Sequence, residues 1–351
     1  MKIRLIGSQE NADPPAADSS AAGPLRDSQG RTVSYLRLSV TDRCDLRCTY
    51  CMPERMQFLP KSDLLSFEEL LRLVDGFISR GITKLRITGG EPLVRRDVML
   101  LVEQLSHRVG STSLREVALT TNATRLEHHA KDLKRFGIER INISLDTLSS
   151  DTFIKLTRKD QFAAVMRGIA SAREAGLKVK INTVALRGIN EHEIADIIVW
   201  AHGQGFDISL IETMPLGEEM HGRDGQYLSL QDVRERLSER WVLKPIAFST
   251  GGPSRYVRIA ETGGRLGFIS PLSHNFCDTC NRVRVTCTGT LYTCLGHEGG
   301  VDLRPALRSG HPGAFDTALD HALAKKPSRH EFDETRLDQP ATQRTMSVTG
   351  G

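Results

Sequence analysis

The stretch that decides the fold is residues 33–51, VSYLRLSVTDRCDLRCTYC. An apolar run over Val33–Val40 predicts a buried strand, and three cysteines follow it with C-x3-C-x2-C spacing: Cys44, Cys48 and Cys51. Three neighbouring thiolates on a loop suit a soft metal centre, and a four-iron cluster held by three cysteines leaves one iron open. Zinc with a distant fourth ligand and three buried structural cysteines are the alternatives.

The same strand-then-helix pattern continues beyond this loop as far as Glu212. Further strands are predicted at Ile82–Thr88, Glu116–Thr121, Ile138–Leu145, Leu177–Val184 and Phe206–Glu212. Helices are predicted between them near Ser66–Ser79, Arg95–Arg108, His128–Phe136, Gln161–Ala175 and Glu191–His202. A capping box at Ser66–Glu69 marks the start of the first helix.

Six strand–helix units predict a parallel sheet with right-handed crossovers, too short for a complete eight-stranded barrel. An open partial barrel or a doubly wound sheet remains, so the expected fold class is α/β. Of the two, we expect a partial (β/α)6 TIM-like barrel with a C-terminal extension closing its open side. We expect residues 1–32 to form a flexible arm, residues 33–215 the barrel, and residues 216–351 the extension. Chemistry is expected at the carboxyl ends of the strands.

Composition excludes several classes of protein. The 351 residues are 39% hydrophobic and 26% charged, which is typical of a globular chain, and the net charge of +4 does not indicate nucleic-acid binding. Neither a signal peptide nor a membrane span is predicted. The 7 cysteines cannot all pair within one chain, so we expect a reducing cytoplasm, where clustered cysteines indicate metal or catalysis.

A second cysteine set lies far along the chain. Cys277, Cys280 and Cys294 have C-x2-C-x13-C spacing, which predicts a second cluster with its own open iron. Arg282 and Arg284 fall between them and share one face if the segment is extended. A zinc ribbon with Cys287 as the fourth ligand is the alternative; otherwise Cys287 is a free, apolar-packed thiol.

Cations also occur within the predicted barrel strands. Arg37 and Arg86 lie in otherwise apolar strands, and Lys180 lies on the fifth. A cation that points into a barrel interior needs an anion, and arginine pairs well with phosphate oxygens. The alternative is that these arginines face the surface.

The segment Thr41–Pro53, TDRCDLRCTYCMP, resembles the radical S-adenosylmethionine (SAM) superfamily and, within it, the GTP 3′,8-cyclases of molybdenum cofactor biosynthesis (MoaA type). The motif Thr88–Pro92, TGGEP, the second cysteine set and the C-terminal Gly350-Gly351 carry the same resemblance. It covers the chain from about Val33 to Gly351.

The resemblance implies a role for each matching residue. The six cysteines named above, without Cys287, would hold two [4Fe-4S] clusters. SAM would be bound by Tyr50, Gly90, Ser144 and Met214. GTP would be bound by Arg37, Arg86, Thr120, Lys180, Arg282, Val283 and Arg284, and the residues acting in catalysis would be Arg282, Arg284, Gly350 and Gly351.

The resemblance also implies the reaction. The chain would be a lyase that converts GTP to (8S)-3′,8-cyclo-7,8-dihydroguanosine 5′-triphosphate. It would take electrons from a flavodoxin- or ferredoxin-like donor, pass its product to a cyclic pyranopterin monophosphate synthase, and form a homodimer. A radical SAM enzyme acting on a peptide or another nucleotide, and a zinc-bound nucleotide- or RNA-binding protein, are the alternatives.

Besides Cys287, where the family has a non-cysteine residue, two positions depart from the family pattern. Asp45 stands where the family usually has Asn, and Ser209 stands where it usually has Arg. The missing arginine removes a positive charge from the substrate pocket, for which Arg187 and Arg223 are candidate replacements.

Overall fold

The computed structural model describes residues 23–217, 224–337 and 339–350. In that part of the chain, 12 strands form one sheet in the order β12-β11-β10-β1-β2-β3-β4-β5-β6-β9-β8-β7. The strands are β1 (Tyr35–Ser39), β2 (Lys84–Thr88), β3 (Glu116–Thr121), β4 (Arg140–Ser144), β5 (Lys178–Ala185), β6 (Asp207–Glu212), β7 (Leu243–Pro245), β8 (Arg255–Ile259), β9 (Arg265–Ile269), β10 (Arg282–Val285), β11 (Thr290–Tyr292) and β12 (Gly300–Asp302).

The helices within those residues are α1 (Phe67–Ser79), α2 (Val98–Ser106), α3 (Leu126–Arg135), α4 (Ser150–Thr157), α5 (Phe162–Glu174), α6 (Ile194–Gly203), α7 (Leu230–Arg240), α8 (Arg304–Arg308), α9 (Ala314–Ala324) and α10 (Met346–Thr349). The predicted capping box at the start of α1 is present, because Ser66 Oγ accepts a hydrogen bond from Glu69 N and Glu69 Oε2 accepts one from Ser66 N. No described helix is long and apolar enough to cross a membrane.

Strands β1 to β6 are parallel neighbours in chain order, with a helix or helices between consecutive strands. A sequential order without reversal is the order of a barrel, whereas a doubly wound sheet reverses at a switch point. Successive side chains of a strand point to opposite faces of the sheet. In β1, Leu36 and Leu38 are fully buried among the core side chains, while Tyr35 and Arg37 line an internal cavity on the other face. The predicted partial barrel is confirmed.

The C-terminal region extends both edges of this barrel. β9 pairs with β6, and β10 pairs with β1, both in parallel orientation. β8 and β7 follow β9, and β11 and β12 follow β10, as antiparallel additions. The sheet therefore runs without interruption across the predicted boundary at residues 215 and 216.

Three details differ from the sequence prediction. α2 begins at Val98 rather than near Arg95, because Asp97 before it has a φ of 58°. α4 was not predicted; it is a short helix whose N-cap, Ser149, accepts a hydrogen bond from Thr152 N. Residues 23–32 are packed rather than a free arm, since Leu25 is fully buried. Residues 1–22 lie outside the described part of the chain.

Candidate functional site

Apart from Gly350 and Gly351, the predicted site residues meet in one cavity at the carboxyl ends of the barrel strands. Its lining includes both cysteine sets, the predicted SAM residues and the predicted GTP residues: Cys44, Cys48, Cys51, Cys277, Cys280, Cys294, Tyr50, Gly90, Ser144, Met214, Arg37, Arg86, Thr120, Lys180, Arg282, Val283 and Arg284. The two sets are separated by about 230 residues in the chain and reach the cavity through β1 and β10, which are hydrogen-bonded neighbours.

The first cysteine loop is fixed by its backbone. Arg47 N donates to Thr157 O and Thr49 N donates to Leu156 O, both at 2.9 Å, so α4 supports the loop. Cys44 Sγ accepts from Leu46 N at 3.4 Å and from Asn122 Nδ2 at 3.7 Å. Burial raises the pKa of the Cys44 and Cys48 thiols, so binding of a metal centre there must displace protons.

Asp45, the first departure from the family pattern, is held by the segment that follows β3. Its carboxylate accepts from Asn122 Nδ2 at 2.8 Å and from Thr124 Oγ1 at 2.7 Å. These contacts place a carboxylate beside Cys44, within the loop that the sequence predicts to hold a metal.

The glycines of the TGGEP motif are required by the cysteine loop itself. A Cβ atom at Gly89 would lie 2.7 Å from Thr41 O, and one at Gly90 would lie 2.4 Å from Arg43 O. The backbone N–H groups of Gly90 and Glu91 donate to Thr41 O and Arg43 O at 2.8 Å. The two glycines therefore allow two protein segments to approach each other closely, which brings Gly90 to the cavity beside the first cysteine set.

Two carboxyl groups, the buried Glu91 and the half-buried Asp146, support this end of the cavity. Glu91 accepts hydrogen bonds from Thr121 Oγ1 and Asn122 N, and burial raises its pKa to about 7. Asp146 accepts from the Tyr50 hydroxyl at 2.5 Å, and burial raises its pKa to about 6. This hydrogen bond fixes the ring of Tyr50. The contact was not predicted, because the two residues are far apart in the sequence.

Five cations line the cavity. Arg37 is directly opposite Arg86 on β2 and Arg284 on β10, so three guanidinium groups come from one level of the sheet. Burial, together with Arg284 and Arg86, lowers the pKa of Arg37 well below its ordinary value. Lys180 Nζ donates to Tyr256 Oη at 2.8 Å, and burial lowers its pKa. Cations crowded in this way favour a polyanionic ligand.

The second cysteine set lies beside two arginines. Arg282 contacts Cys280 Sγ at 3.8 Å through Nη2, and its guanidinium lies over the Phe276 ring at 4.9 Å from the centroid. Cys287 does not line the cavity; it is buried, and its carbonyl accepts from Leu65 N at 2.8 Å. Cys287 therefore lies apart from the three cysteines of this set that line the cavity.

Among the described residues, no group of three or more His, Cys, Asp and Glu side chains is arranged to hold a single metal ion. The three protein ligands of a four-iron cluster bind three different iron atoms, so their sulfur atoms do not converge on one point.

The C-terminal tail enters the site. Gly350 has a φ of 77°, and a Cβ atom there would lie 2.1 Å from Thr88 Oγ1. Its carbonyl accepts a hydrogen bond from Arg284 Nη1. Gly351 lies outside the described residues.

Ser209, the second departure, is fully buried on β6. Its hydroxyl is 2.9 Å from Ser254 Oγ, and Ser254 lines the cavity in front of it. The candidate replacement Arg187 does not line the cavity; it is exposed and lies 3.8 Å from Asp232. Arg223 lies outside the described residues. Arg187 therefore does not replace the missing charge.

The fold and the cysteine loop define a class of protein. The model of the Radical SAM superfamily matches residues 38–201, and the model of Molybdenum Cofactor Synthesis C matches residues 206–332. The crystal structure of Streptococcus suis SuiB bound to S-adenosylmethionine has a similar fold, with a TM-score of 0.58 and 16% identity over 83% of this chain and 66% of that chain.

Curated relatives specify the family. A GTP 3′,8-cyclase of Erythrobacter litoralis is 60% identical over 94% of this chain and 100% of its own length. A GTP 3′,8-cyclase of Rhizobium etli is 54% identical over 99% of both chains. The chain therefore belongs to the GTP 3′,8-cyclase family of radical SAM enzymes, a class whose cofactors are SAM and a [4Fe-4S] cluster.

Proposed function

We propose that this chain converts GTP to (8S)-3′,8-cyclo-7,8-dihydroguanosine 5′-triphosphate in molybdenum cofactor biosynthesis. The observation that carries the proposal is the placement of five cations between two cysteine sets in one cavity. The name of the relatives supports GTP as the substrate. Cys44, Cys48 and Cys51 would hold a [4Fe-4S] cluster, which, with SAM and one electron from an external reductant, would supply the radical chemistry of the reaction.

The cavity carries polar atoms that suit such ligands. Arg86 Nε, Thr120 Oγ1, Asn182 Oδ1 and Thr213 Oγ1 are buried and have no hydrogen-bond partner among the described residues. All four side chains line the cavity. A buried polar atom without a partner costs about 1–3 kcal/mol, and a polar ligand in the cavity offsets that cost.

The chain's own residues bind and orient the two molecules. Tyr50, Gly90, Ser144 and Met214 bind SAM next to the first cysteine set. Arg37, Arg86, Thr120 and Lys180 bind the triphosphate. Arg282, Val283 and Arg284 hold the substrate at a second [4Fe-4S] cluster on Cys277, Cys280 and Cys294. No side chain needs to act as a general base, because positioning and the exclusion of water are the protein's contribution.

The tail completes the substrate end of the cavity. Gly350 accepts a hydrogen bond from Arg284, one of the proposed substrate ligands, which supports a role for Gly350 in catalysis. We propose the same role for Gly351 from the family resemblance alone. We further propose a flavodoxin- or ferredoxin-like electron donor, transfer of the product to a cyclic pyranopterin monophosphate synthase, a homodimer, and a reducing cytoplasmic location.

The proposal is tested by an anaerobic assay with GTP, SAM and dithionite in which 5′-deoxyadenosine and the cyclised nucleotide are measured together. We expect both products and about eight iron atoms per chain. 5′-Deoxyadenosine formed without cyclised GTP would indicate a peptide or another nucleotide as the substrate. Zinc in place of iron and sulfide would exclude the radical mechanism.

The cation cluster has its own test. Arg86→Met removes a guanidinium from the cavity, and we expect the KM for GTP to rise about 10-fold or more while the KM for SAM stays unchanged. Arg96→Met is the matched control, because the Arg96 side chain is 94% exposed. Equal KM values for GTP in the two variants would contradict the assignment of Arg86 to the substrate.

A further inference from the structure

Two cations outside the C-x2-C-x13-C motif reach the second cysteine set. Lys326 lies just after α9, and Arg31 lies before β1, so they come from opposite ends of the chain. Both are bonded to the segments that carry the cysteines.

Lys326 is buried, with 3% of its surface exposed. Its ammonium group donates to Thr293 O, the residue before Cys294, and to Arg282 O at 3.2 Å. The same group lies 3.8 Å from Cys280 Sγ. One side chain therefore joins β10 to the segment that carries the third cysteine.

The partners of Lys326 leave its charge uncompensated. Two are neutral carbonyl groups and one is a cysteine sulfur, and no carboxylate forms an ion pair with Lys326 within residues 23–217, 224–337 and 339–350. A buried charge is costly unless an opposite charge accompanies it. Thiolates that bind a cluster supply that negative charge.

Arg31 fixes the first cysteine of the same set. Its Nη1 donates to Cys277 O at 2.8 Å and to Ser328 O at 2.9 Å, and its Nη2 donates to Pro327 O at 2.7 Å. Its Nε donates to Asp27 Oδ2 at 2.6 Å. The guanidinium thus ties Cys277 to the segment that follows Lys326.

We propose that Lys326 and Arg31 are positioning residues for a [4Fe-4S] cluster on Cys277, Cys280 and Cys294. Lys326 balances the negative charge of the thiolates, and Arg31 holds the backbone of Cys277 in place before the cluster enters. The inference rests on the proposed function for the existence of that cluster.

The test uses the full-length chain with Cys44, Cys48 and Cys51 replaced by Ala, so that iron and electron paramagnetic resonance signals report the second cluster alone. In this background we expect about four iron atoms per chain. If this variant binds no iron, the proposal of a second cluster is wrong, and that result does not depend on the roles of Lys326 and Arg31.

In the same background, we expect Lys326→Met to lower the iron content or to shift the reduction potential of the remaining cluster to more negative values, because a positive charge beside the sulfur is lost. We expect Lys326→Arg to restore most of the iron and the potential. Lys325→Met is the control, since Lys325 is the exposed neighbour. Iron content and potential that equal those of the control would overturn the role of Lys326.

Arg31→Lys keeps the charge but loses the planar fork that bonds three carbonyl groups. We expect it to lose iron, whereas Arg26→Lys, at an exposed position, does not. Circular dichroism shows whether each variant is folded. If Lys326→Met does not fold, the Arg31→Lys variant decides: full iron in that variant would overturn the proposal.

Discussion

At the scale of single residues, the thiols of Cys280 and Cys287, which are close in the sequence, differ in pKa because different charges surround them. Burial alone would raise the pKa of Cys280, but the charges of Arg282 and Lys326 lower it to about 7. Burial and the nearby Asp42 raise the pKa of Cys287 to about 11. The thiolate is the reactive form, so the two cysteines differ in reactivity near neutral pH.

We predict that iodoacetamide modifies Cys280 before Cys287 in metal-free protein at pH 7. Because the pKa of Cys280 is about 7, its reaction rate rises as the pH passes through that value, whereas Cys287 remains a buried thiol until the pH is much higher. Peptide mass spectrometry after timed labelling measures both rates. Faster labelling of Cys287 would show that its surroundings are described wrongly.

Ser209 gives a prediction about stability. Ser209, Ser254 and Gly267 are packed together, since a Cβ atom at Gly267 would lie 2.4 Å from Ser209 Oγ and 2.1 Å from Ser254 Oγ. We predict that Ser209→Arg, which restores the family residue, lowers the free energy of unfolding by about 2 kcal/mol or more through overpacking and burial of a charge.

Urea unfolding of the metal-free chain measures this change. Ser209→Ala is the control, because it removes one hydrogen bond and costs about 1 kcal/mol. A Ser209→Arg variant as stable as the parent, with a lower KM for GTP, would show instead that the pocket has room for the charge.

The sequence predicted which residues form the site better than it predicted which residues contact them. The cysteine spacings and the cations on apolar strands were local signals, and the structure brings these residues to one cavity. Arg31 and Lys326 gave no such signal, because each contacts the second cysteine set from a distant part of the chain. The need for glycine at Gly89 and Gly90 was also not predictable from the sequence, because it arises from their contact with Thr41–Arg43 in the folded chain.

At the scale of elements, the C-terminal tail is held by the burial of its side chains and by a hydrogen bond to a strand. The side chains of Ser347 and Thr349 in α10 are buried, and Gly350 is bonded to Arg284 on β10. The tail thereby packs its backbone against Arg284 and Thr88, two residues that line the cavity.

We predict that Gly350→Ala reduces GTP cyclisation by about 10-fold or more while the SAM end of the cavity stays intact. The new methyl group would overlap with Thr88 Oγ1, and the positive φ disfavours alanine. Cyclised product and 5′-deoxyadenosine are measured separately, and Gly310→Ala, at an exposed turn of positive φ, is the control. Normal cyclisation in Gly350→Ala would remove the tail from the site.

Strands were predicted more accurately than helices. β3 matches its predicted bounds because a run of apolar and β-branched residues marks a largely buried strand. α4 escaped prediction because it is a short helix just before α5 in the crossover from β4 to β5. β10, RVRV, is too short to be distinguished from a loop, so its pairing with β1 was not foreseen.

At the scale of the whole molecule, the barrel and the C-terminal region share one sheet. β1 has β2 on one side and β10 on the other, and β6 lies between β5 and β9. Strand edges without partners are prone to pair with other chains. The two parts therefore depend on each other for stability.

We predict that a fragment ending at Gly217 is insoluble or aggregates, because the outer edges of β1 and β6 lose their partners. The full chain is expected to unfold in one cooperative transition in calorimetry, in its metal-free form. Its calorimetric and van't Hoff enthalpies should agree. A soluble, folded fragment, or two separate transitions in the full chain, would show that the barrel is an independent unit.

The pairing of β1 with β10 also has a consequence for synthesis on the ribosome. β1 is complete early in translation, yet its outer partner emerges about 245 residues later, which takes about 12–50 s at 5–20 residues per second. Throughout that interval the nascent chain carries an unpaired strand next to three cysteines. We therefore expect this edge to need protection, by a chaperone or by delayed folding, until β10 emerges.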